Sequence, residues 1–375
     1  MPLTTQESHR GRVRGSLLAG AVGDALGAPI EFDSIAAVRR LYGEAGLTTL
    51  VHGWRSTVGL ITDDTQMTLF TAEGLIRARV RRAVKGDGDE VSAVRDAYLR
   101  WLDTQSHRSP PAGGRRGGGW LREEGWLYSR RAPGNACLSG LRHPAASGAS
   151  GAFGALGVAG PVNPGSKGCG TVMRSAPFGF TASDPGHAFE LSARCAQITH
   201  GHPTGYLAAG AFAAMIWHLA EGLAVEPAVR EAMGLLRAYP RHEETTAALE
   251  AALALTARGT PTPERVESLG GAWVAEEALA IAVYCALAGR PEEDGPAGMR
   301  RALLLSVNHS GDSDSTGAVC GNLLGARLGE AALPADWLAP LEGRVPITAL
   351  ADDLAALRTV ADETLTTWQD RYPAA

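Results

Sequence analysis

Lysine is nearly missing from this 375-residue chain: Lys85 and Lys167 are the only two, and arginine supplies almost all of the positive charge. With Ala and Gly abundant, that usage fits a GC-rich bacterial coding sequence. Cysteine is sparse and unpatterned, since Cys137, Cys169, Cys195, Cys285 and Cys320 form no C-x-x-C, which argues against both a zinc module and a disulfide framework. A reducing cytoplasm is the expected setting. Alternating β-branched patterns are almost absent, and the best extended stretch, 47–52 (LTTLVH), is too short to build a sheet. There is no excess of positive charge either: 35 basic against 40 acidic residues leave −5, so nothing global attracts nucleic acid or an anionic membrane. No run reaches the ~20 apolar residues of a membrane span. Arg10, Arg12 and Arg14 ahead of 15–23 mimic the start of a secretory signal, but Asp24 interrupts the apolar run, and a soluble intracellular protein is expected.

What is present reads as helix. With 45% hydrophobic and 20% charged residues the chain can bury a large core, for which length alone suggests about two or three domains. Apolar residues recur at helical spacing over 12–28, 64–82, 90–105, 187–200, 204–221, 228–238, 243–258, 273–288, 298–307, 316–328 and 349–369, predicting an all-α globule of many helices. Two Gly/Pro/Ser-rich segments, 106–119 and 143–168, break the pattern as linkers or as functional loops, and the motifs below favour loops within one domain. The single RRGGG run at 115–119 is a weak RNA signal, and no internal repeat is present.

Two oxygen-rich helix starts stand out. In ITDDTQM (61–67), Asp63 fits an N-cap with Gln66 closing a capping box, and Asp64 suits the positive first turn. In HSGDSDSTG (309–317), Asp312, Asp314, Ser315 and Thr316 precede a second helix. Each start alone is explained by capping; together they offer hard oxygen ligands for Mg²⁺, Mn²⁺ or Ca²⁺, and their convergence would require a cation. Glycines 317, 321, 325 and 329 form a stripe on the second helix that invites close packing, and 15–27 has a matching small-residue face. An EF-hand is excluded because Leu323 stands where Glu is needed, and a haloacid-dehalogenase reading fails for want of a preceding strand and a following α/β domain.

GCGTVMR (168–174) is either a tight turn or a backbone anion cradle helped by Lys167 or Arg174; it is not a Walker loop. THGHPTG (199–205) has His-x-His without further zinc ligands and reads as a helix link, with His200 at a helix C-terminus that favours a positive or donating imidazole.

In order, GAVGDALGAPIEF (20–32), ITDDTQM, GCGTVMR, ITHGHP (198–203) and HSGDSDSTG resemble the motifs of the ADP-ribosylglycohydrolase family, over about residues 12–330. The resemblance implies one compact all-α domain over 1–375 with a dinuclear Mg²⁺ or Mn²⁺ centre at the base of an ADP-ribose cleft. It implies that Thr62, Asp63, Asp64 and Asp314 hold one metal, and that Asp312, Asp314 and Ser315 or Thr316 hold the other. Glu31 and Asp312 become the catalytic carboxylates, with Glu31 the general base. Gly168, Cys169, Gly170, Thr171, Val172, Met173 and Arg174 match the loop around ribose and diphosphate, although Cys169 replaces the Asn or Ser of some relatives. His200 and Asn135 match further substrate-facing positions. The implied partner is an ADP-ribosylated protein or another ADP-ribosylated acceptor, acted on by a monomer, with modified nucleic acid left open.

The implied chemistry is hydrolysis at the anomeric carbon of the distal ribose, with adenine stacked on one of Trp120, Trp126, Tyr128, Tyr206 and Trp273. Two alternatives stand beside it: a hydrolase of a free ADP-ribosyl metabolite or other glycoside, and an ADP-ribose-binding module without turnover.

Overall fold

The computed structural model describes residues 5–52, 58–111, 118–147 and 153–374. Among them, the helices of eight residues or more are α1 (Thr5–Gly27), α2 (Ile35–Tyr42), α3 (Asp63–Lys85), α4 (Glu90–Ser106), α5 (Asn135–Arg142), α6 (Pro185–Gln197) and α7 (Pro203–Ala220), then α8 (Val225–Leu236), α9 (Glu243–Thr256), α10 (Ala275–Ala288), α11 (Pro291–Val307, broken at Gly295), α12 (Ser313–Leu328) and α13 (Arg344–Ala356). No strand occurs among the described residues. The extended stretch expected at 47–52 contributes only an isolated bridge between His52 and Val58, and a second bridge joins Gly168 to Val274. Residues 112–117, part of the expected loop at 106–119 and of the Arg-Gly run, lie outside the described residues.

Helix ends follow local chemistry, with one change from expectation. At α3 the N-cap is Thr62, not Asp63: its Oγ1 accepts from the Asp64 amide at 3.3 Å. Gln66 closes no capping box, because its side chain instead joins the Ser129 carbonyl, Trp101 and Gln105. A tertiary partner outcompeted the local one. Gly86, at φ 76°, ends α3 in the left-handed conformation glycine tolerates best. The start of α12 is capped by Asp312, which accepts from the Ser315 amide.

The core is organised on α1, α3, α7, α10 and α12. Helices α7 and α10 are buried over almost their whole length, as helices apolar on every side must be. Between α1 and α12 the contact is backbone on backbone. They run antiparallel, and a Cβ placed on Gly317 would strike the Gly23 carbonyl, one on Gly321 the Ala19 carbonyl and one on Gly325 the Gly15 carbonyl. Register is locked by reciprocal bonds: Ser16 Oγ donates to the Asn322 carbonyl at 3.0 Å, and Asn322 Nδ2 donates to the Ser16 carbonyl at 2.8 Å. Because the helices are antiparallel, the end of α1 meets the start of α12.

Gly321→Ala tests this contact. Better helix propensity gains ~1 kcal/mol, but overpacking against a carbonyl that cannot rotate away costs about 1–3 kcal/mol, so a net loss of up to about 2 kcal/mol is expected. A raised melting temperature in thermal denaturation would contradict the packing.

Candidate active site

The expected convergence is found. The start of α3, the start of α12 and Glu31, just after the short 3₁₀ turn Ala28–Ile30, meet at one cavity of about 630 Å³. Glu31, Asp63, Asp64, Asp312, Asp314 and Ser315 line one side of it. Oxygens of Glu31, Asp312 and Asp314 lie within 4.8 Å of one another, and all three residues are buried. Asp63 and Asp64 share the cavity without joining that tightest group.

Asp24 aims the start of α3. Fully buried on α1, it accepts from the Thr62 amide at 3.0 and 2.9 Å, from the Thr65 amide at 3.1 Å and from the Thr65 hydroxyl at 2.5 Å. It acts as a cap supplied from another helix, fixing the turn that carries Asp63 and Asp64. Its motif alone assigns it no role. The available signal is an acid in the middle of a small, apolar helix.

Electrostatics set the chemistry. No described Lys or Arg pairs with these carboxylates. Burial, then Asp312, Asp63 and Asp24, push Glu31 up from 4.5 to about 8. Burial likewise lifts Asp63, Asp64 and Asp314 well above the ordinary carboxylate range, each with help from neighbouring acids. Glu31 Oε2 and Asp64 Oδ1 are buried without a hydrogen-bond partner among the described residues. Orphaned carboxylate oxygens and a hydroxyl, with no ion pair from a described Lys or Arg although Arg130 also lines the cavity, are the donor set of a hard divalent ion, and the residues therefore fit Mg²⁺ or Mn²⁺.

Two expected ligands depart from this arrangement. Thr316 is turned away: its hydroxyl donates to the Ser306 carbonyl at 2.6 Å and meets His309 Nε2 at 2.9 Å, leaving Ser315 as the hydroxyl on the cavity. Thr62 is buried behind the wall, where its Oγ1 serves as the α3 cap.

The opposite wall carries the glycine loop. Of 168–174, Gly168, Cys169, Gly170 and Met173 line the cavity. Thr171, Val172 and Arg174 do not: Thr171 Oγ1 bonds the Gly205 carbonyl at 2.8 Å, Val172 is in the core, and Arg174 stacks 4.4 Å over Tyr98 and donates to Thr199 Oγ1. The amides of Cys169, Val172 and Met173 are engaged with the carbonyls of Trp273, Cys169 and Cys169, so the cradle expected from the whole stretch narrows to the Gly168–Gly170 edge. Lys167 points the other way, toward Glu244 and Glu276. Cys169 stays a thiol, held protonated by burial and Asp312, and donates to Asp312 Oδ2 at 2.7 Å.

His200 lines the cavity with its ring under Gly168 and Gly170, where any Cβ would crowd the imidazole. The helix terminus does not make it cationic: burial and then Arg174 push it down to about 3. Asn135, at the start of α5, is exposed on the rim, and the Gly134 amide beside it donates to Asp63 at 3.3 Å. Among the five candidate aromatics Trp273 alone reaches the cavity; its ring stacks on Phe32 with centroids 5.7 Å apart. Phe32 went unassigned in the sequence, although it closes the first motif and is 72% exposed, which is conspicuous for phenylalanine.

A family model described as ADP-ribosylglycohydrolase matches residues 5–364. The chain is 28% identical over 346 residues to ADP-ribosyl-[dinitrogen reductase] glycohydrolase of Rhodospirillum rubrum, across 91% of this chain and 94% of that protein. It is 28% identical over 354 residues to an uncharacterized protein of Archaeoglobus fulgidus, across 92% of this chain and 96% of that one. Among solved structures, one titled an ADP-ribosylglycohydrolase-related protein complex aligns with a TM-score of 0.65 and 25% identity, over 93% of this chain and 99% of that one.

Two outcomes follow from the geometry. In EDTA, the folded protein retains a proton on Glu31 that the unfolded chain releases between pH 4.5 and about 8, so stability should fall as pH rises through that window, and Mg²⁺ or Mn²⁺ should raise the melting temperature most at its alkaline end. A flat profile in EDTA would contradict the buried, unpaired carboxylate. Asp24→Asn should cost about 1–3 kcal/mol in denaturant unfolding, because an amide cannot accept from all the donors it faces.

Proposed function

This chain belongs to the ADP-ribosylglycohydrolase family, and from that premise we propose that it removes ADP-ribose from a modified acceptor by hydrolysis at the anomeric carbon of the distal ribose. The observation that carries the reading is the gathering of Glu31, Asp63, Asp64, Asp312 and Asp314, none of them ion-paired with a described Lys or Arg, in a cavity whose other side carries the Gly168–Gly170 loop, His200 and Trp273. Likeness to the Rhodospirillum rubrum enzyme, named for an ADP-ribosylated protein, favours a protein acceptor.

Asp63, Asp64, Asp312, Asp314 and Ser315 would hold two Mg²⁺ or Mn²⁺ ions, which when bound supply Lewis acidity and a template for vicinal hydroxyls. Glu31 has a free oxygen facing the same space and a pKa near working pH, and it is assigned to take the proton of the attacking water. His200 is assigned as a neutral donor. Arg174 only donates, so Thr199 Oγ1 accepts from it at 2.6 Å and donates its own hydrogen bond to His200 Nδ1 at 2.8 Å, in preference to the Ala196 carbonyl at 3.4 Å. That leaves an Nε2–H beside Gly168 and Gly170 for a phosphate or ribose oxygen. Trp273, backed by Phe32, is assigned to stack on adenine. Asn135 would meet the substrate at the rim.

The test is release of ADP-ribose from ADP-ribosylated arginine, serine and nucleic-acid acceptors, with and without EDTA. Glu31→Gln should keep ADP-ribose binding while turnover falls by about 10²–10⁴. Asp63→Ala and Asp314→Ala should lose both turnover and the melting-temperature rise given by Mg²⁺. Full turnover in Glu31→Gln would remove its assignment as base, and turnover undiminished by EDTA would remove the metal from the proposal.

A further inference from the structure

A second large cavity, of about 530 Å³, lies at the other end of α1 and α3 from the carboxylates. His9 and Asp24 are fifteen residues apart on α1, and Asp63 and Arg79 are sixteen apart on α3, so about 22–24 Å of helix separates the two places. The last turn of α7 and the chain just beyond α13 complete the enclosure. Its volume suits a small molecule.

The cavity is supplied with donors that lack acceptors. His9 is more than nine-tenths buried, with Nδ1 at 3.4 Å from Arg358 Nη1. A guanidinium only donates, so Nδ1 must accept, and the ring proton sits on Nε2. Burial, then Arg358, push His9 down to about 4, which keeps the ring neutral. Its Nε2 has no partner among the described residues, and neither has the buried Thr181 hydroxyl on the same cavity. A buried donor without an acceptor is unfavourable in the empty protein. Arg358 and Arg79 are paired with Glu221 and Asp362, and His187 with Glu90, but among the described residues Arg82 reaches only the Gly88 carbonyl. Phe180, edge-on to the His9 ring, and Trp217 supply apolar walls.

We infer that this cavity is a second ligand site, for a small organic anion whose carboxylate or phosphoryl oxygens are taken by His9 Nε2–H, Thr181 and Arg82 while its apolar body packs against Phe180 and Trp217. It is independent of the activity proposed above, since none of these residues touches the carboxylate cavity.

The test is calorimetric titration of the full chain with phenyl phosphate and with benzoate, in saturating ADP-ribose, against benzyl alcohol and inorganic phosphate. At least one aromatic anion should bind one to one, about tenfold or more tighter than the neutral ring or the bare phosphate, and the probe that binds identifies the anionic group. Arg82→Ala, a surface change, should weaken that binding about tenfold without moving the melting temperature, and His9→Phe should do the same to binding. Absence of binding by both anions, equal binding of benzyl alcohol or inorganic phosphate, or undiminished affinity in Arg82→Ala would overturn the assignment.

Discussion

Everything in the carboxylate cavity depends on how closely α1 and α12 approach. Glycine faces backbone along the whole contact, and the Ser16–Asn322 pair prevents sliding. Because both partners are main chain, the separation has little freedom to relax. Antiparallel packing then brings the residues after α1 against those before α12, which is why Glu31 stands beside Asp312 and Asp314 despite some 280 intervening residues. The glycines weaken each helix on its own, at about 1 kcal/mol apiece against alanine, and that loss is offset only by the packing they permit.

The same contact creates an electrostatic debt. Five carboxylates line a cavity in which none of them is ion-paired with a described arginine or lysine, and burial opposes ionisation of Glu31, Asp63, Asp64 and Asp314. Asp24 belongs to this group by position yet differs in role, since its oxygens are consumed by the amides and hydroxyl of the α3 start, and burial still raises it to about 6. It fixes the approach of Asp63 and Asp64 while leaving them unpaired. Arg130 lines the cavity without an ion pair to these acids, whereas buried arginines are paired elsewhere, as in the Glu73–Arg77–Arg100 cluster that ties α3 to α4.

How much of this was legible in the sequence varied with the kind of signal. Helices with strong apolar periodicity were readable, and so was the α1–α12 contact, because glycine at every fourth position weakens a helix unless another backbone packs against it. Short elements such as α2 and α5 lacked enough turns to show a period. The acid-rich starts were legible as ligands only jointly. What could not be read was which way individual side chains turn. The choice between the adjacent hydroxyls of Ser315 and Thr316 is made by the Ser306 carbonyl and His309, both brought in by tertiary packing. Gln66 matched a capping box and was drawn away by Trp101 and Gln105 from the neighbouring helix.

The glycine loop shows the same limit in a more consequential form. Its basic residues suggested an anion cradle, but Arg174 and Lys167 stand behind the loop, holding it through Thr199, Tyr98, Glu244 and Glu276. Cations placed behind a loop stiffen it; cations placed on its face would compete for the carboxylates across the cavity. With Gly168 and Gly170 pressed on a neutral His200, this wall presents shape and backbone dipoles, and it offers the acidic wall no ion pair. The two sides of the cavity thus differ in kind, a neutral loop held from behind and an acidic wall with no ion pair from a described Lys or Arg, and under the proposed function this separation would let one cavity take an anionic ligand and a cation.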